Sequence, residues 1–196
     1  MRKTLIRAAV LAAALGAPLT LAARLPEFIQ PPAEDCRNQV LVDLSESGYG
    51  SLGLLYDYAL SSDHSLEFGL SASGNGPTDN YWAAYGVKFA FNFWLQQDFW
   101  EHPDAPLLGW YLGPEVVADT VNWHYEYAGN SYNTGAGYVG GGGQLGYQWI
   151  FNPGLTARAF VEADYLGGDL NGVNGAPGPG YGGFNVGGHA AVGWSF

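Results

Sequence analysis

The stretch Tyr81-Trp82-Ala83-Ala84-Tyr85-Gly86-Val87-Lys88-Phe89-Ala90-Phe91-Asn92-Phe93-Trp94-Leu95 decides the fold class. Tyr81, Ala83, Tyr85, Val87, Phe89, Phe91, Phe93 and Leu95 fall on one side of a period-two repeat, with Gly86, Lys88, Ala90 and Asn92 opposite. A period of two is the signature of a β-strand, because successive side chains point to opposite faces. The run exceeds the ~9–11 residues a tilted strand needs to cross a bilayer.

The same period recurs on both sides. Upstream, Val40, Val42 and Leu44 oppose Gln39, Asp43 and Ser45. Leu52 to Leu60 and Leu66 to Ala72 follow, with Asp57 and Glu67 on their polar faces. Downstream, Leu108 to Ala118 alternates against Gly109, Tyr111, Gly113, Glu115 and Asp119, and Val139 to Phe151 against Gly140, Gly142, Gln144, Gly146 and Gln148. Leu155 to Tyr165 alternates against Thr156, Arg158, Glu162 and Asp164, with Phe160 interrupting the polar face. The last segment sets Phe184, Val186, Gly188, Ala190, Val192, Trp194 and Phe196 against Asn185, Gly187, His189, Ala191, Gly193 and Ser195. This makes eight strands. Pro114 has no N–H for a ladder, so a bulge or kink is expected beside Gly113.

The polar faces decide what the strands enclose. A soluble exterior carries mixed charges at ~25–35%. Here the polar faces are mostly Gly, Ser, Ala, Gln and Asn, and Lys88 and Arg158 are their only Lys or Arg. Small residues suit the narrow inside of an eight-stranded barrel. Phe93, Trp94, Trp110, Trp149, Phe151, Trp194 and Phe196 fall near strand ends, as an interfacial girdle requires. The expectation is an all-β, eight-stranded antiparallel up-and-down transmembrane β-barrel. The alternative with the same period is a soluble secreted β-barrel that binds an apolar ligand inside.

Composition bounds the rest. Of 196 residues 30 are Gly, about twice the usual share, and charged residues are 13%, about half of it. Seven Lys and Arg against 18 Asp and Glu exclude a nucleic-acid-binding face. The single cysteine, Cys36, excludes an internal disulfide framework and a Cys-based zinc site. Residues 1–23 read as a signal peptide: Arg2, Lys3 and Arg7 precede an apolar run from Ala8 to Ala17, and Leu21-Ala22-Ala23 offers small residues for cleavage. That run is too short to span a bilayer, and no later stretch is long and apolar enough to do so as a helix. Residues 24–38, with Pro26, Pro31 and Pro32, read as a Pro-rich periplasmic linker, and residues 39–196 as the barrel.

The ending Val192-Gly193-Trp194-Ser195-Phe196 resembles the C-terminal signal of bacterial outer-membrane barrels, and Gly146 to Leu155 resembles a strand, tight periplasmic turn and strand of the small OmpA/OmpX-like families. The resemblance spans about residues 39–196. It implies a monomer in the outer membrane, partnered by lipid and by the barrel-assembly machinery, which would read Val192, Trp194 and Phe196. It places both ends in the periplasm, with periplasmic turns at Ser61 to His64, Gln96 to Pro106 and Asn152-Pro153. Phe99 and Trp100 in the second would lie against the membrane surface. The outer loops would be Glu46 to Gly50, Gly74 to Asn80, Val121 to Gly135 and Gly167 to Gly182, with no loop partner indicated. Val121 to Tyr127 still alternates, so that hairpin is expected to project.

The strand phases put Asp43, Asp57, Glu67, Lys88, Glu115, Asp119, Arg158, Glu162, Asp164 and His189 in the lumen. Charges enclosed there must be paired or solvated. The expected pairs are Arg158 with Asp57 or Glu67, and Lys88 with Glu115 or Glu162. An ion-pair plug fills the lumen on one reading. On the other, the surplus of acids lines a narrow cation-preferring channel. No catalytic constellation is legible. The eight-stranded lipid A deacylases carry His and Ser two residues apart, and this chain has no such pair. Gly167 to Gly175 lacks the carboxylates of a calcium loop, and Gly140 to Gly143 leads into no helix that could hold an anion. No cofactor, no metal and no enzymatic activity are expected.

Overall fold

A computed structural model describes residues 36–44, 51–75, 80–95, 106–127, 130–151, 154–168 and 183–196. The segments read as signal peptide and most of the linker, the turn with Phe99 and Trp100, and the loops 45–50 and 169–182 lie outside these residues.

Eight strands form one closed antiparallel barrel in sequence order. They are β1 (Asn38–Asp43), β2 (Ser51–Ala59), β3 (His64–Asn75), β4 (Asn80–Leu95), β5 (Gly109–Tyr127), β6 (Asn130–Phe151), β7 (Leu155–Gly168) and β8 (Gly183–Ser195). β1 pairs with β8, so the sheet has no open edge at its seam. The up-and-down order follows from the connections. Leu60 N–H and Ser61 N–H both donate to the His64 carbonyl, at 2.9 and 3.2 Å, and close the β2–β3 turn. Gly154 N–H donates to the Phe151 carbonyl at 2.6 Å and enters β7 at φ +135°, a conformation only glycine adopts freely. We call the end holding these turns, the start of β1 and the end of β8 the turn end, and the opposite one the loop end.

The register fixes the barrel's shape. Starting at Ser195 on β8, one row of paired residues passes through Gln39, Asp57, Glu67, Ala90, Glu115, Gly142 and Asp164. It returns to β8 at Asn185, ten residues from where it began. An eight-stranded sheet closed with that stagger has strands tilted by about 40° from the barrel axis.

Three expectations are corrected here. Pro114 causes no bulge. β4 and β5 are paired as Ala90↔Glu115 and Phe93↔Leu112, the same register on both sides, and only the rungs opposite Gly113 and Pro114 are missing. The absent N–H is absorbed by skipping these two rungs, while pairing to β6 runs on through Pro114↔Gly143. Second, the outer loop expected from Val121 to Gly135 is strand over its described residues: β5 runs on to Tyr127, as its alternation implies, and β6 begins at Asn130, with pairing up to Tyr127↔Asn130. β3 and β4 likewise consume both ends of the segment Gly74 to Asn80. Third, Trp94 is not part of an outer girdle. It is buried in the lumen, where its Nε1–H donates to Ser65 Oγ at 2.9 Å.

The faces are otherwise sorted as the period requires. Gln39, Asp57, Ser65, Glu67, Asn92, Gln148, Thr156 and Arg158 are buried inside the barrel, while Leu54, Tyr56, Phe68, Leu70, Val87, Phe89, Val116 and Leu145 are exposed outside it. Among the described residues, every Asp, Glu, Lys and Arg within a strand belongs to the inward face except Glu126, near the tip of the β5–β6 hairpin. Trp110 and Trp149 flank Tyr147 on the outer face, at ring centroid distances of 5.2 and 4.7 Å.

Candidate functional site: the barrel lumen

The lumen is built in two halves. In the turn-end half, inward side chains fill the space. Leu41, Leu55, Ala59, Trp94, Leu107, Tyr111, Ile150, Phe160 and Ala191 form one buried apolar cluster. Leu107 enters it from the connection before β5 with φ +62°, a strained conformation for leucine. Its carbonyl accepts a hydrogen bond from Gln148 Nε2. Large side chains fit where glycine faces them: a Cβ on Gly146 would lie 2.6 Å from Phe160 Cβ and 2.7 Å from the Tyr111 ring.

Arg158 is the polar hub of this half. One guanidinium nitrogen donates to Asp57 Oδ2 at 2.9 Å and another to Glu67 Oε2. Nε donates to Gln148 Oε1 at 2.7 Å, and the guanidinium lies 4.9 Å from the centre of the Tyr111 ring. Gln39 ties the hub to the seam. Its Nε2 donates to Asp57 at 2.7 Å, and its Oε1 accepts from Gln148 at 2.7 Å and from Ser195 at 3.3 Å. Each buried charge therefore has an opposite partner, without which its desolvation would be costly.

The second layer centres on Lys88. Its Nζ lies 3.0 Å from Glu67, 3.4 Å from Glu162 and 3.7 Å from Glu115. Glu67, the nearest, was not among the partners expected from sequence. It bridges the two layers, because it also holds Arg158. Lys88 Nζ also lies 4.9 Å above the centre of the Phe160 ring. Gln144 accepts from Lys88 at 3.4 Å and donates to Asn92 at 2.9 Å.

His189 forms a third node. Nδ1 lies 2.8 Å from Asp43 and Nε2 lies 3.0 Å from Glu162, and the imidazole stacks on Phe160 with ring centroids 4.7 Å apart. Phe160, which interrupts the polar face in sequence, is thus the apolar platform under both Lys88 and His189.

The loop-end half is open. A cavity of about 190 Å³ is lined by Asp43, Lys88, Asp119, Glu162, Asp164 and His189 among others. Asp119 lies in this half beside Gly86, where a Cβ would collide with the Asp119 carboxylate. All ten lumen residues expected from sequence belong to the inward face, and nine are within ion-pair or carboxylate contact of another member. The polar positions Asn92, Gln144 and Gln148 join the network at the heights their strand phases imply, and the residues missed as network members are Gln39 and Ser195. Both lie on the same polar phase, so the period alone could have added them.

Val192, Trp194 and Phe196 are exposed in one outward row at the turn end of β8.

No protein-family model matches this sequence, and no curated protein matches it. Solved structures with a similar fold include the N-terminal β-barrel domain of Pseudomonas aeruginosa OprF, at 14% identity and a TM-score of 0.44, covering 81% of this chain and 95% of that one. Acinetobacter baumannii CarO2 is similar at 10% identity and a TM-score of 0.39, covering 81% of this chain and 97% of that one. CarO of the same organism covers 87% of this chain and all of its own, at 9% identity and a TM-score of 0.38.

Proposed function

We propose that this chain is an integral outer-membrane β-barrel with a structural or surface-interaction role, whose lumen is closed by its own ion-pair network. One observation carries the membrane reading: the outer face of the strands is apolar and, among the described residues, free of charge below the hairpin tip. Contiguous apolar surface on that scale has no place in water. A soluble barrel with an apolar ligand would need the reverse arrangement, with Leu and Phe inside and Asp and Arg outside.

Export through a cleaved signal peptide accords with this location, and the outward row Val192, Trp194 and Phe196 is the surface offered to the assembly machinery. The surface role rests on length. β6 has 22 residues and β5 has 19, whereas ~10 suffice to cross the ~25 Å apolar band. The loop-end part of this hairpin therefore stands outside the bilayer. There His124 of β5 stacks on Tyr81 of β4 (5.0 Å), and Val121 and Tyr138 of the hairpin form a small apolar cluster with Leu166 of β7.

A closed lumen and a cation channel differ in the turn-end half. There Arg158, Tyr111, Leu107, Gln39 and Gln148 fill the cross-section and are almost entirely shielded from solvent, which supports closure and a non-catalytic role.

Refolding tests both levels. Urea-unfolded protein is diluted with and without lipid vesicles and compared unboiled and boiled on a gel. A lipid-dependent mobility shift is expected. A compact fold without lipid would refute the membrane reading. In a planar bilayer the folded protein is expected to carry no steady current, and a cation-selective conductance would replace closure with the channel reading.

A further inference from the structure

We propose that the loop-end half of the lumen binds one divalent cation, with Ca²⁺ the best fit, on the carboxylates of Glu115, Glu162 and Asp164. No motif in the sequence marks this site, because the three acids come from β5 and β7 and meet only through register. Glu115, Gly142 and Asp164 are consecutive along one row of the barrel. Gly142 places no side chain between the two acids. A Cβ there would collide with the Ala163 carbonyl and the Asp164 carboxylate, so Asp164 lies across the glycine. Glu162 is the next inward residue on β7. One oxygen from each of the three comes within 4.8 Å of the others.

The second observation is independent of that convergence. The Glu115 side chain is fully buried, yet neither of its oxygens accepts a hydrogen bond, and neither does Asp164 Oδ1. Lys88 lies 3.7 Å from Glu115, beyond hydrogen-bond reach, and is held closer by Glu67 at 3.0 Å. Buried carboxylate lone pairs without a donor are costly, and a neighbouring carboxylate has no proton to offer while ionised. A cation satisfies all three groups at once.

The electrostatic count points the same way. The lumen holds seven acids, Asp43, Asp57, Glu67, Glu115, Asp119, Glu162 and Asp164, against Lys88, Arg158 and His189. Facing the three acids from neighbouring strands are Lys88 on β4, and His189 and Asn185 on β8, with His189 already engaged by Asp43 and Glu162. The cavity of about 190 Å³, lined by Glu162 and Asp164, supplies an entry path and room for water. An all-oxygen donor set selects a hard cation. Ca²⁺ takes 6–8 oxygens at about 2.3–2.6 Å in irregular arrangements, so three carboxylates completed by water suit it. Mg²⁺ demands a tighter octahedron and is expected to bind more weakly.

The test is calorimetric titration of Ca²⁺ into the folded, chelator-treated barrel. One saturable event per chain is expected. It should weaken at least tenfold in Glu115→Gln and in Asp164→Asn, and persist in Glu126→Gln, which alters an acid near the hairpin tip. The absence of any saturable event, or equal binding in wild type and both lumen variants, would overturn the proposal. It would then be a shared proton between Glu115 and Asp164 that relieves the cluster. Should a lumen variant fail to fold, the wild type still decides. Millimolar Ca²⁺ is expected to raise the temperature at which the folded gel mobility is lost, reversibly with chelator, and no shift would sink the idea.

Discussion

Replacing Arg158 by Met is the most informative perturbation of the lumen. The side chain is buried against Asp57, Glu67, Gln148 and the Tyr111 ring. Its loss falls unequally on its partners. Glu67 retains Lys88 at 3.0 Å. Asp57 retains only the amide of Gln39 at 2.7 Å, and its Oδ1 accepts no hydrogen bond even in the intact protein. Removing one partner of a buried ion pair costs about 3–5 kcal/mol, and here nearly all of it is the uncompensated Asp57. Arg158→Met combined with Asp57→Asn should therefore be less destabilised than Arg158→Met alone, by about 2 kcal/mol. Glu67→Gln should not rescue in the same way, because it strips Lys88 of its nearest anion. The assay is urea unfolding of the vesicle-inserted barrel, followed by tryptophan fluorescence and checked by unboiled gel mobility. A cost below about 1 kcal/mol for Arg158→Met, or a double variant as unstable as the sum of its parts, would refute the hub.

Other perturbations probe separate layers. Lys88→Glu gathers four carboxylates where Glu67, Glu115 and Glu162 already surround Nζ, so a loss of more than about 3 kcal/mol is expected in the same urea assay. Unchanged stability would mean that the mid-height pairing is wrong. Phe89→Arg tests the outer face: Phe89 is exposed near the middle of the apolar band, and a cation there should cost about 2–4 kcal/mol in lipid. An indifferent Phe89→Arg would place this face outside the hydrocarbon. Trp94→Phe removes the donor to Ser65, and Ser65→Ala leaves the buried indole N–H orphaned. The second should be the more costly, by about 1 kcal/mol, on comparing their urea midpoints.

The strands were legible because period two is a local property: each inward position can be read from its neighbours two residues away. That is why Asp57, Glu67, Lys88 and Arg158 could be assigned to one enclosed face before any pairing was known. What the sequence does not encode locally is which strand residue stands beside which. The Lys88–Glu67 contact and the meeting of Glu115 with Asp164 over Gly142 both depend on cross-strand register, set by every connection in the barrel. The misreadings have the same origin. Trp94 looks like a girdle residue by type, but its odd–even position places it inside, with Ser65 in reach. Gly135 looks like loop composition, yet β5 offers it a partner at Asn122. Pro114 breaks two rungs but not the count, because its outer neighbour on β6 continues to pair.

The ten-residue stagger that carries one row from Ser195 round to Asn185 also limits how such a protein can change. A closed sheet has no edge at which to discard a miscount. One residue added inside β6 would turn every later side chain of that strand inside out. Two added residues would preserve the faces but alter the closure, and with it the tilt and the bore. The chemistry of the lumen is therefore open to revision one substitution at a time, and growth in length is confined to the connections. Wall and contents evolve under different rules, although the same eight strands supply both.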